Sequence, residues 1–275
     1  MPELPETETI ARDLDREITG RRITEVEVVR SDVLRERSAE ELASHVTGRA
    51  FMRSWRRAKL IVLDLDSTER IVVQPRFTGA LLLSRGPLPE SEAAYSTIRF
   101  GLDDGRDLHY RDIRRLGTVA LMDSQRFDAY ASTLGIEPLD PAFTASHLSG
   151  ILRGSRQAVK KVLMDQRVLV GVGNIYANEA CWRAGVDPSR PARSLSADEA
   201  AALREGIVGV LTDSIAARGT SFRDYRDASG GRGDFERSLA VYGRGGQSCL
   251  RCGARLVETH AIDGRSTVLC ARCQR

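Results

Sequence analysis

The sequence predicts an α+β fold with a β-rich N-terminal part, a helical middle part and a short cysteine-bearing C-terminal part. Three observations support this prediction. Short β-like runs separated by turn signals fill residues 23–122, apolar residues recur at helical spacing in residues 145–217, and two Cys-x2-Cys pairs lie near the C-terminus. At 275 residues and 41% hydrophobic content, the chain is long enough to bury two moderate cores.

The first part is predicted to contain one helix and a set of short strands. Ile10, Leu14 and Ile18 recur at helical spacing, which predicts an amphipathic helix over residues 7–17. Several short strands with tight turns between them indicate a β-sandwich or a flattened barrel. The β-like runs lie at residues 24–29, 60–65, 71–73, 80–83, 97–102 and 118–122.

Helical patterning replaces the strand signals after a connector at residues 125–140. The predicted helices span residues 145–153, 157–165, 175–184 and 198–217. Residues 227–234 have the Gly, Arg, Asp and Ser content of a mobile loop. We therefore divide the chain into an N-terminal domain at 1–130, a helical domain at 131–240 and a C-terminal hairpin at 241–275.

Composition excludes several classes of protein. The sequence has no run of about 18 apolar residues, and its acidic N-terminus is unlike a signal peptide, so we expect a cytoplasmic protein with no membrane partner. The net charge is only +3, but residues 218–275 carry eleven Arg against six Asp and Glu. An anionic partner is therefore expected for this end of the chain.

The cysteines of the C-terminal part have the spacing of a metal site. Cys249 and Cys252 form one Cys-x2-Cys pair, Cys270 and Cys273 form the other, and seventeen residues separate the pairs. That interval is typical of a structural zinc ion held by four thiolates, with no open position for a substrate. Disulfides are the alternative, which a cytoplasmic location disfavours. Cys181, within a helical run, is expected to be a buried apolar residue.

A proline directly after Met1 gives the N-terminus the composition of a covalent catalyst. Removal of Met1 would expose the secondary amine of Pro2. An α-amino group has a pKa of about 7.7 to 8.0, so a useful fraction is unprotonated at neutral pH and can attack an aldehyde carbon. Glu3 and Glu6 supply acid and base groups within one helical turn. The alternative is a frayed terminus with solvated acids.

A glycine-rich turn before the third predicted helix is a candidate anion site. Gly171 and Gly173 permit a tight turn, and Asn174 is a favoured N-cap at a helix start whose amides attract phosphate. Arg156, Lys160 and Lys161 add positive charge upstream, or form a solvated face. The alternative is a helical corner that binds no ligand.

An Asp-Gly pair between the two cysteine pairs predicts a β-hairpin turn. Asp263 and Gly264 are flanked by β-forming residues, which is typical of such turns. Arg265 would then lie near the tip, where a guanidinium suits bidentate binding of a phosphate. A merely solvated arginine is the alternative.

Six motifs, in the same order along almost the whole chain, resemble those of the formamidopyrimidine-DNA glycosylase / endonuclease VIII family. They are the Pro-Glu-Leu-Pro-Glu start, Arg-Arg-Ala-Lys-Leu around Lys59, residues 112–117, residues 171–179, residues 241–244 and the cysteine quartet. The resemblance implies an N-terminal β-sandwich, a helix-two-turn-helix domain around Asn174 and a zinc-finger β-hairpin. It also implies a bacterial-type, nucleoid-associated monomer that excises oxidised bases from damaged double-stranded DNA and nicks the abasic strand.

The resemblance assigns catalytic roles to five residues. Pro2 would form a Schiff base with C1′ of the damaged nucleotide, Glu3 would protonate the sugar oxygen, and Glu6 would position Glu3. Lys59 would donate a proton in β-elimination. Arg265 would grip a phosphate and take part in δ-elimination.

The resemblance also assigns contacts with DNA. The glycosidic bond cannot be attacked inside an intact base stack, so the damaged nucleotide must be flipped out and the hole filled by wedge side chains. Asn174 would hold a phosphate beside the flipped nucleotide. The residues expected to contact DNA are Phe77, Tyr95, Arg114, Arg115, Leu116, Arg156 and Asn174.

Three departures from the family pattern leave the preferred lesion open. Residues 74–77 read Gln-Pro-Arg-Phe instead of His-Leu-Gly-Met, Leu116 stands where phenylalanine is common, and Tyr95 stands where histidine is usual. The loop at residues 227–236 favours the branch that removes 8-oxoguanine and formamidopyrimidines. An endonuclease VIII-like enzyme for oxidised pyrimidines and a zinc-dependent DNA-binding protein without catalysis are the alternatives.

Overall fold

The computed structural model describes residues 2–222 and 224–275, which fall into two compact units. The first unit comprises Met1–Ser132 and Ala217–Glu236, and the second comprises Thr133–Ala216 and Arg237–Arg275. The sequence predicts boundaries near residues 130 and 240. In the structure, residues 217–236, which the prediction places in the helical domain, belong to the first unit. The three-domain division itself stays a prediction.

The first unit is a β-sandwich with a long N-terminal helix. Its helices are α1 (Leu4–Ile18), α2 (Ala39–Val46), α3 (Glu90–Ala93) and α4 (Ser124–Ala131). Its strands are β1 (Ile23–Val28), β2 (Leu34–Arg35), β3 (Phe51–Arg57), β4 (Leu60–Leu65), β5 (Glu69–Gln74), β6 (Gly79–Arg85), β7 (Ser96–Leu102), β8 (Arg106–Asp112) and β9 (Thr118–Asp123).

Two sheets face each other across the main apolar core. One has the strand order β1-β7-β8-β6 and the other β2-β9-β5-β4-β3, with β2 parallel to β9 and the other neighbours antiparallel. Successive side chains of a strand point to opposite faces. In β4, Ile61, Leu63 and Leu65 therefore enter the sandwich core, while Leu60 and Val62 join a smaller apolar cluster with α4.

Helix α1 begins three residues before its predicted start, because proline and acidic residues rather than apolar ones build its first turn. Pro5 lies in that turn, where its missing N–H has no helical partner to lose. Glu3 and Glu6 form a capping box. Ile10 and Leu14 are fully buried in the sandwich core, which confirms the predicted apolar face.

Strands β3 and β8 have no predicted counterpart, because charged residues interrupt their apolar pattern. β3 lies at a sheet edge and carries Arg53 and Arg56, whereas β8 alternates buried Leu108 and Tyr110 with charged residues. Helices α2 and α4 are also unpredicted, and α4 lies within the supposed connector at residues 125–140. Both are short and begin at polar N-cap residues, so apolar periodicity is a weak signal for them.

The second unit combines helices with a β-hairpin. Its main elements are α5 (Ala145–Arg153), α6 (Val159–Met164), α7 (Asn174–Ala184), α8 (Ala197–Ala216), β10 (Val257–Thr259) and β11 (Thr267–Leu269). The four helices match the four predicted helical runs within two residues at each end. Within the described ranges, no helix is both long and apolar enough to cross a membrane.

Helices α7 and α8 cross at close range. A Cβ atom on Gly206 would lie 2.8 Å from the carbonyl oxygen of Ala180, so this crossing requires glycine. Tyr176 Oη and Ser214 Oγ are 2.6 Å apart in the same buried interface. Gly185 ends α7 in the left-handed region with φ of 73°.

The hairpin of β10 and β11 is short and has its own small core. Its strands have three residues each, and the loop between them contains the predicted Asp-Gly turn. Asp263 and Gly264 have φ of 52° and 65°, and the N–H of Arg265 donates to Ile262 O at 3.1 Å. Two central residues with positive φ are typical of a type I′ turn, so the predicted turn is confirmed.

Candidate active site and nucleic-acid interface

The N-terminal residues are anchored, because their acids are built into the start of α1. Pro2 is buried, and Glu3 and Glu6 are each 1% exposed. Glu6 Oε2 accepts a hydrogen bond from the N–H of Glu3 at 2.8 Å, and Thr7 Oγ1 donates to Glu3 O at 2.9 Å. Residues 2–7 therefore differ from a frayed, solvated terminus.

The other carboxylate oxygen of Glu6 joins α1 to the segment that returns to the first unit. Glu6 Oε1 accepts a hydrogen bond from the N–H of Thr220 at 2.8 Å. Tyr225 is buried beside this contact, and its hydroxyl lies 3.5 Å from Glu6 O. Burial, followed by the charge of Glu6, raises the pKa of Tyr225 well above its usual range, so the phenol stays protonated.

Lys59 lies at the tip of a two-residue hairpin. Arg57 pairs with Leu60 across β3 and β4, which leaves Ala58 and Lys59 as the turn. Ala58 is buried with φ of 54°, and Lys59 is half-buried. Both strands pack against α1. The strand pair that presents Lys59 is therefore fixed to the helix that Glu3 caps.

A buried carboxylate, Asp112, organises the turn after β8. Its oxygens accept hydrogen bonds from Thr78 Oγ1 and from the backbone N–H groups of Arg114 at 3.2 Å and Gly117 at 2.8 Å. These donors fix both ends of the turn at residues 113–117, which we call the wedge turn. The guanidinium of Arg114 lies over the ring of Phe77 at 4.9 Å.

The predicted wedge residues are presented to solvent. Phe77 is 43% exposed and Leu116 is 42% exposed, which is high for large apolar side chains. Arg115 has φ of 50°, and its guanidinium pairs with Asp32 at 3.0 Å. Exposed apolar side chains on a fixed turn suit insertion between base pairs.

Tyr95 is adjacent to the wedge turn. Its carbonyl oxygen accepts a hydrogen bond from the N–H of Asp112 at 3.0 Å, and its ring is 41% exposed. The buried guanidinium of Arg111 lies 5.9 Å from that ring and pairs with Glu92 at 2.5 Å. The structure therefore brings Phe77, Tyr95 and the wedge turn together on the first unit.

Asn174 is the first residue of α7 rather than its N-cap, so the predicted cap is wrong by one position. Gly173 is the N-cap, with extended backbone angles and no capping side chain. The amide of Asn174 is engaged elsewhere, because Nδ2 donates to Ser266 O at 3.1 Å. Asn178 Oδ1 accepts a backbone N–H of β11 at 2.8 Å. The start of α7 thus holds the hairpin that carries Arg265.

Lysines of α6 hold the same hairpin loop. Lys160 is fully buried, and its Nζ donates to Ser266 O at 2.8 Å and to Thr267 Oγ1 at 2.7 Å. Lys161 Nζ pairs with Asp263 at 2.9 Å on the surface. The two arginines predicted to meet DNA on this unit, Arg156 and Arg265, are both exposed.

The four cysteines predicted to bind metal come together. Their sulfur atoms all lie within 4.8 Å of one another, and the cysteines are free thiols, so the disulfide alternative is wrong. Four sulfur ligands about 2.3 Å from a tetrahedral zinc ion would be about 3.8 Å apart, so the cluster fits zinc. Cys181 lies outside it, and complete burial raises the pKa of its thiol to about 12, as expected for an apolar position.

Two buried acids that shape the site are absent from the predictions. One is Asp112, the last residue of β8, which holds the wedge turn. The other is Glu179, 2% exposed, whose carboxylate accepts the N–H groups of Ala240 at 2.9 Å, Val241 at 2.9 Å and Tyr242 at 2.8 Å. Burial raises the pKa of Glu179 although these donors oppose it. Both acids lie inside motifs that the sequence singles out, but their partners are distant in sequence.

This combination of fold and site defines a class of protein, the DNA-binding enzymes that contain a structural zinc finger. Comparison with known proteins identifies the family within the class. Family models described as "Formamidopyrimidine-DNA glycosylase N-terminal domain", "Formamidopyrimidine-DNA glycosylase H2TH domain" and "Zinc finger found in FPG and IleRS" match residues 1–119, 134–226 and 246–275. The third match confirms the expected structural zinc.

Curated relatives agree over the full length. Formamidopyrimidine-DNA glycosylases from Roseiflexus sp. and Laribacter hongkongensis are 40% and 42% identical to the chain, with 100% of both sequences covered in each case. The chain belongs to the formamidopyrimidine-DNA glycosylase family.

Solved structures share the architecture. The Lactococcus lactis Fpg protein in complex with DNA containing N7-benzyl-Fapy-dG has a TM-score of 0.92 at 29% identity over 100% of both chains. The MutM (Fpg) protein of Thermus thermophilus has a TM-score of 0.87 at 33% identity over 99% of this chain and 98% of that one. The predicted α+β fold, with its β-sandwich, helix-two-turn-helix region and zinc hairpin, is confirmed.

Proposed function

We propose that the protein is a bifunctional DNA glycosylase and abasic-site lyase that excises oxidised purines, including 8-oxoguanine and formamidopyrimidines. The observation that supports this most directly is the N-terminal arrangement. A buried proline is followed by two carboxyl groups, each 1% exposed, in a chain of this family. A nucleophilic amine beside acid and base groups is what covalent chemistry at a sugar carbon requires.

The proposed reaction begins with the amine of Pro2, after Met1 is removed. Its nitrogen attacks C1′ of the damaged nucleotide and gives up its proton, and the bond from C1′ to the base breaks, so that the base leaves with the bonding electron pair and takes up a proton. Glu3 protonates the sugar ring oxygen, the ring opens, and an iminium links Pro2 to the sugar. Glu6 keeps Glu3 in place through its 2.8 Å hydrogen bond to the N–H of Glu3. β-Elimination then removes a proton from C2′ and expels the 3′ phosphate, and Lys59 supplies a proton during this step.

DNA binding by the proposed enzyme uses both units. Arg114 and Leu116 of the wedge turn, together with Phe77 beside it, enter the base stack when the damaged nucleotide leaves it. The remaining contacts, made to phosphates and to the flanking strand, are assigned to Tyr95, Arg115, Arg156, Asn174 and Arg265. Cys249, Cys252, Cys270 and Cys273 would hold the zinc ion, which would stiffen the hairpin and supply no reacting group.

Oxidised pyrimidines are the second candidate substrate. The observation that favours them is a complex of the Lactococcus lactis protein with DNA containing an oxidised pyrimidine, which has a TM-score of 0.90 to this chain at 28% identity. Competing duplexes with 8-oxoguanine and thymine glycol separate the two candidates by the ratio of kcat/KM. We further propose that the protein acts as a monomer in the cytoplasm, on nucleoid DNA.

Borohydride trapping tests the proposed function. The wild-type protein is expected to form a covalent adduct with lesion-bearing duplex, and mass spectrometry should place the adduct on Pro2. Glu3→Gln should lower the trapping rate by about 10² to 10⁴ fold, the usual contribution of a general acid, and Pro2→Gly should give little adduct. Glu40→Gln, at an exposed site of α2, is the matched control. An adduct that maps to another residue contradicts the proposal.

A further inference from the structure

The carboxylate of Glu6 is held from two sides. Oε2 accepts the N–H of Glu3, and Oε1 accepts the N–H of Thr220, both at 2.8 Å. One donor belongs to the N-terminal turn and the other to the segment that returns to the first unit after residue 216. The orientation of Glu6, and with it the setting of residues 2 and 3, therefore depends on where the turn at residues 219–220 lies.

That turn begins at a residue with an unfavourable backbone conformation. Arg218 has φ of 61°, a region that non-glycine residues rarely adopt, and Gly219 follows with φ of 87°. Such conformations persist where surrounding contacts over-determine them, and they concentrate at functional sites. The contacts of Arg218 are thus part of what keeps the turn in place.

The side chain of Arg218 bridges two buried carboxylates. Its Nη2 lies 2.5 Å from Asp13 Oδ2 and 2.6 Å from Asp227 Oδ2. Asp13 follows Glu6 by seven residues, two turns along the same face of α1. Helix α1 therefore contacts the returning segment through Glu6 at its start and through Asp13 in its middle.

Asp227 in turn belongs to a loop that is fixed by hydrogen bonds. It is 3% exposed, and its Oδ1 accepts the N–H groups of Ser229 at 3.1 Å and Gly231 at 2.7 Å. The next residue, Ala228, accepts the N–H of Leu83 at 2.8 Å on edge strand β6. Although the sequence predicts a mobile loop here, Asp227 offers Arg218 an anchor tied to the sheet.

We propose that Arg218 is a positioning residue for the reaction, which seats the turn at residues 219–220 on α1 so that Thr220 and Glu3 share the carboxylate of Glu6. Without Arg218 the turn moves, Oε1 of Glu6 loses the N–H of Thr220, and the N-terminal segment is less well placed for attack on C1′. Arg218 itself touches no reacting atom. This inference rests on the proposed function and adds a residue that the family motifs do not mark.

The test compares Arg218→Gly, Arg218→Lys and Arg16→Ala with the wild type. Glycine accepts positive φ without strain, so Arg218→Gly removes the ion pairs and leaves the backbone conformation accessible. Lysine keeps the charge but lacks the planar fork that binds two carboxylates. Arg16 is the matched control, because it pairs with the same Asp13 at 2.5 Å but lies on the surface of α1, 65% exposed.

Single-turnover trapping with a lesion duplex is expected to be about tenfold slower for Arg218→Gly, since small misplacements of a reacting group have effects of at least this size. Arg218→Lys should recover part of the rate, and Arg16→Ala should keep it within about twofold, since surface ion pairs contribute little. The Kd for the duplex should change by less than about threefold, because Arg218 acts on orientation rather than on uniform binding. A merely structural role would lower the thermal midpoint and leave the trapping rate unchanged.

Hydrogen exchange gives a readout that does not need catalysis. In Arg218→Gly, amides in peptides covering residues 3–7 and 219–222 should exchange faster, with Arg16→Ala like the wild type. Unchanged exchange in residues 3–7 contradicts the coupling through Glu6. A wild type that traps no DNA contradicts the proposed function, whereas normal trapping by Arg218→Gly contradicts the positioning role alone.

Discussion

At the scale of single residues, the acid that we propose to position Glu3 is held by backbone N–H groups from two distant parts of the chain. The sequence alone predicts a role for Pro2, Glu3 and Glu6, because all three lie in one short stretch of the chain. Glu3 and Thr220 are two of the donors that orient Glu6, and the second is 214 positions away in the sequence. Contacts between residues so far apart produce no periodic pattern in the sequence. The roles that we propose for Thr220 and Arg218 therefore cannot be predicted from it.

A buried histidine couples the stability of the sandwich to pH. His109 on β8 is 7% exposed, and burial, partly opposed by Asp107, lowers its pKa below the usual 6.5. At pH values above 6.5 both the folded and the unfolded chain are neutral here. Below it, the unfolded chain binds a proton that the folded chain does not, so the free energy of unfolding falls as the pH decreases.

His109→Gln is expected to flatten this dependence, since glutamine does not titrate. Urea unfolding at pH 7.5 and at pH 5.5 measures the free energy of unfolding at each pH. The decrease in this free energy from pH 7.5 to pH 5.5 should be smaller in the variant than in the wild type. His260→Gln, at an exposed position of the second unit, is the control and should leave the loss unchanged. An identical pH dependence in wild type and His109→Gln would refute the assignment.

At the scale of elements, apolar periodicity predicted the long helices well and the charged strands poorly. The runs at residues 145–153 and 198–217 became α5 and α8 with nearly the same bounds, because each buries one continuous face. β3 and β8 were missed because arginines and acids occupy many of their positions, and antiparallel pairing with predicted neighbours makes them strands. Whether such a segment forms a strand depends on the strands that it pairs with in the fold, and the local sequence does not show these partners.

The wedge turn gives a prediction at this scale. Asp112→Ala removes the acceptor of four hydrogen bonds and leaves buried donors without partners, which should cost about 1 to 3 kcal/mol of unfolding free energy. Chemical denaturation measures the loss. Binding of lesion duplex should weaken as well, since Arg114 and Leu116 lose their fixed setting.

Asp128→Ala supplies the comparison for that experiment. Asp128 is an exposed residue of α4, and surface substitutions of this kind usually change stability by less than about 0.5 kcal/mol. If Asp112→Ala were no less stable than Asp128→Ala, the turn would not depend on the buried carboxylate.

At the scale of the whole molecule, the metal site was the most predictable feature, because two Cys-x2-Cys pairs at a known interval specify tetrahedral geometry by themselves. The motifs also gave the order of the fold along the chain. The return of residues 217–236 to the first unit was not predictable, since composition marks that segment only as a loop. This segment is held against the first unit by contacts with Asp13, Glu6 and Leu83, which are far from it in the sequence.

Removal of zinc should inactivate the protein through its second unit. Strands of three residues cannot hold a hairpin without the metal. Chelation, or Cys270→Ser, is therefore expected to reduce zinc from one ion per chain to none and to weaken DNA binding at least tenfold. Metal analysis and a binding titration check this, and added zinc should restore the chelated wild type.

Cys181→Ala is the control for metal removal, because Cys181 is buried in α7 outside the cluster. This variant should keep one zinc per chain and the affinity for DNA. Full DNA binding by a zinc-free protein would show that the hairpin is held by its apolar core instead.

Because the first unit is made of two separate stretches of the chain, it cannot be completed early in translation. The ribosome releases the strands of the sandwich early. Thr220, which donates to Glu6, and Ala228, which accepts from Leu83 on β6, are synthesised much later. The surroundings of Pro2 thus stay incomplete until most of the polypeptide has been translated. A nascent chain stalled before that point carries the N-terminal residues that we propose to be reactive without their final support. Assembly of the proposed catalytic site is therefore delayed until synthesis is nearly finished.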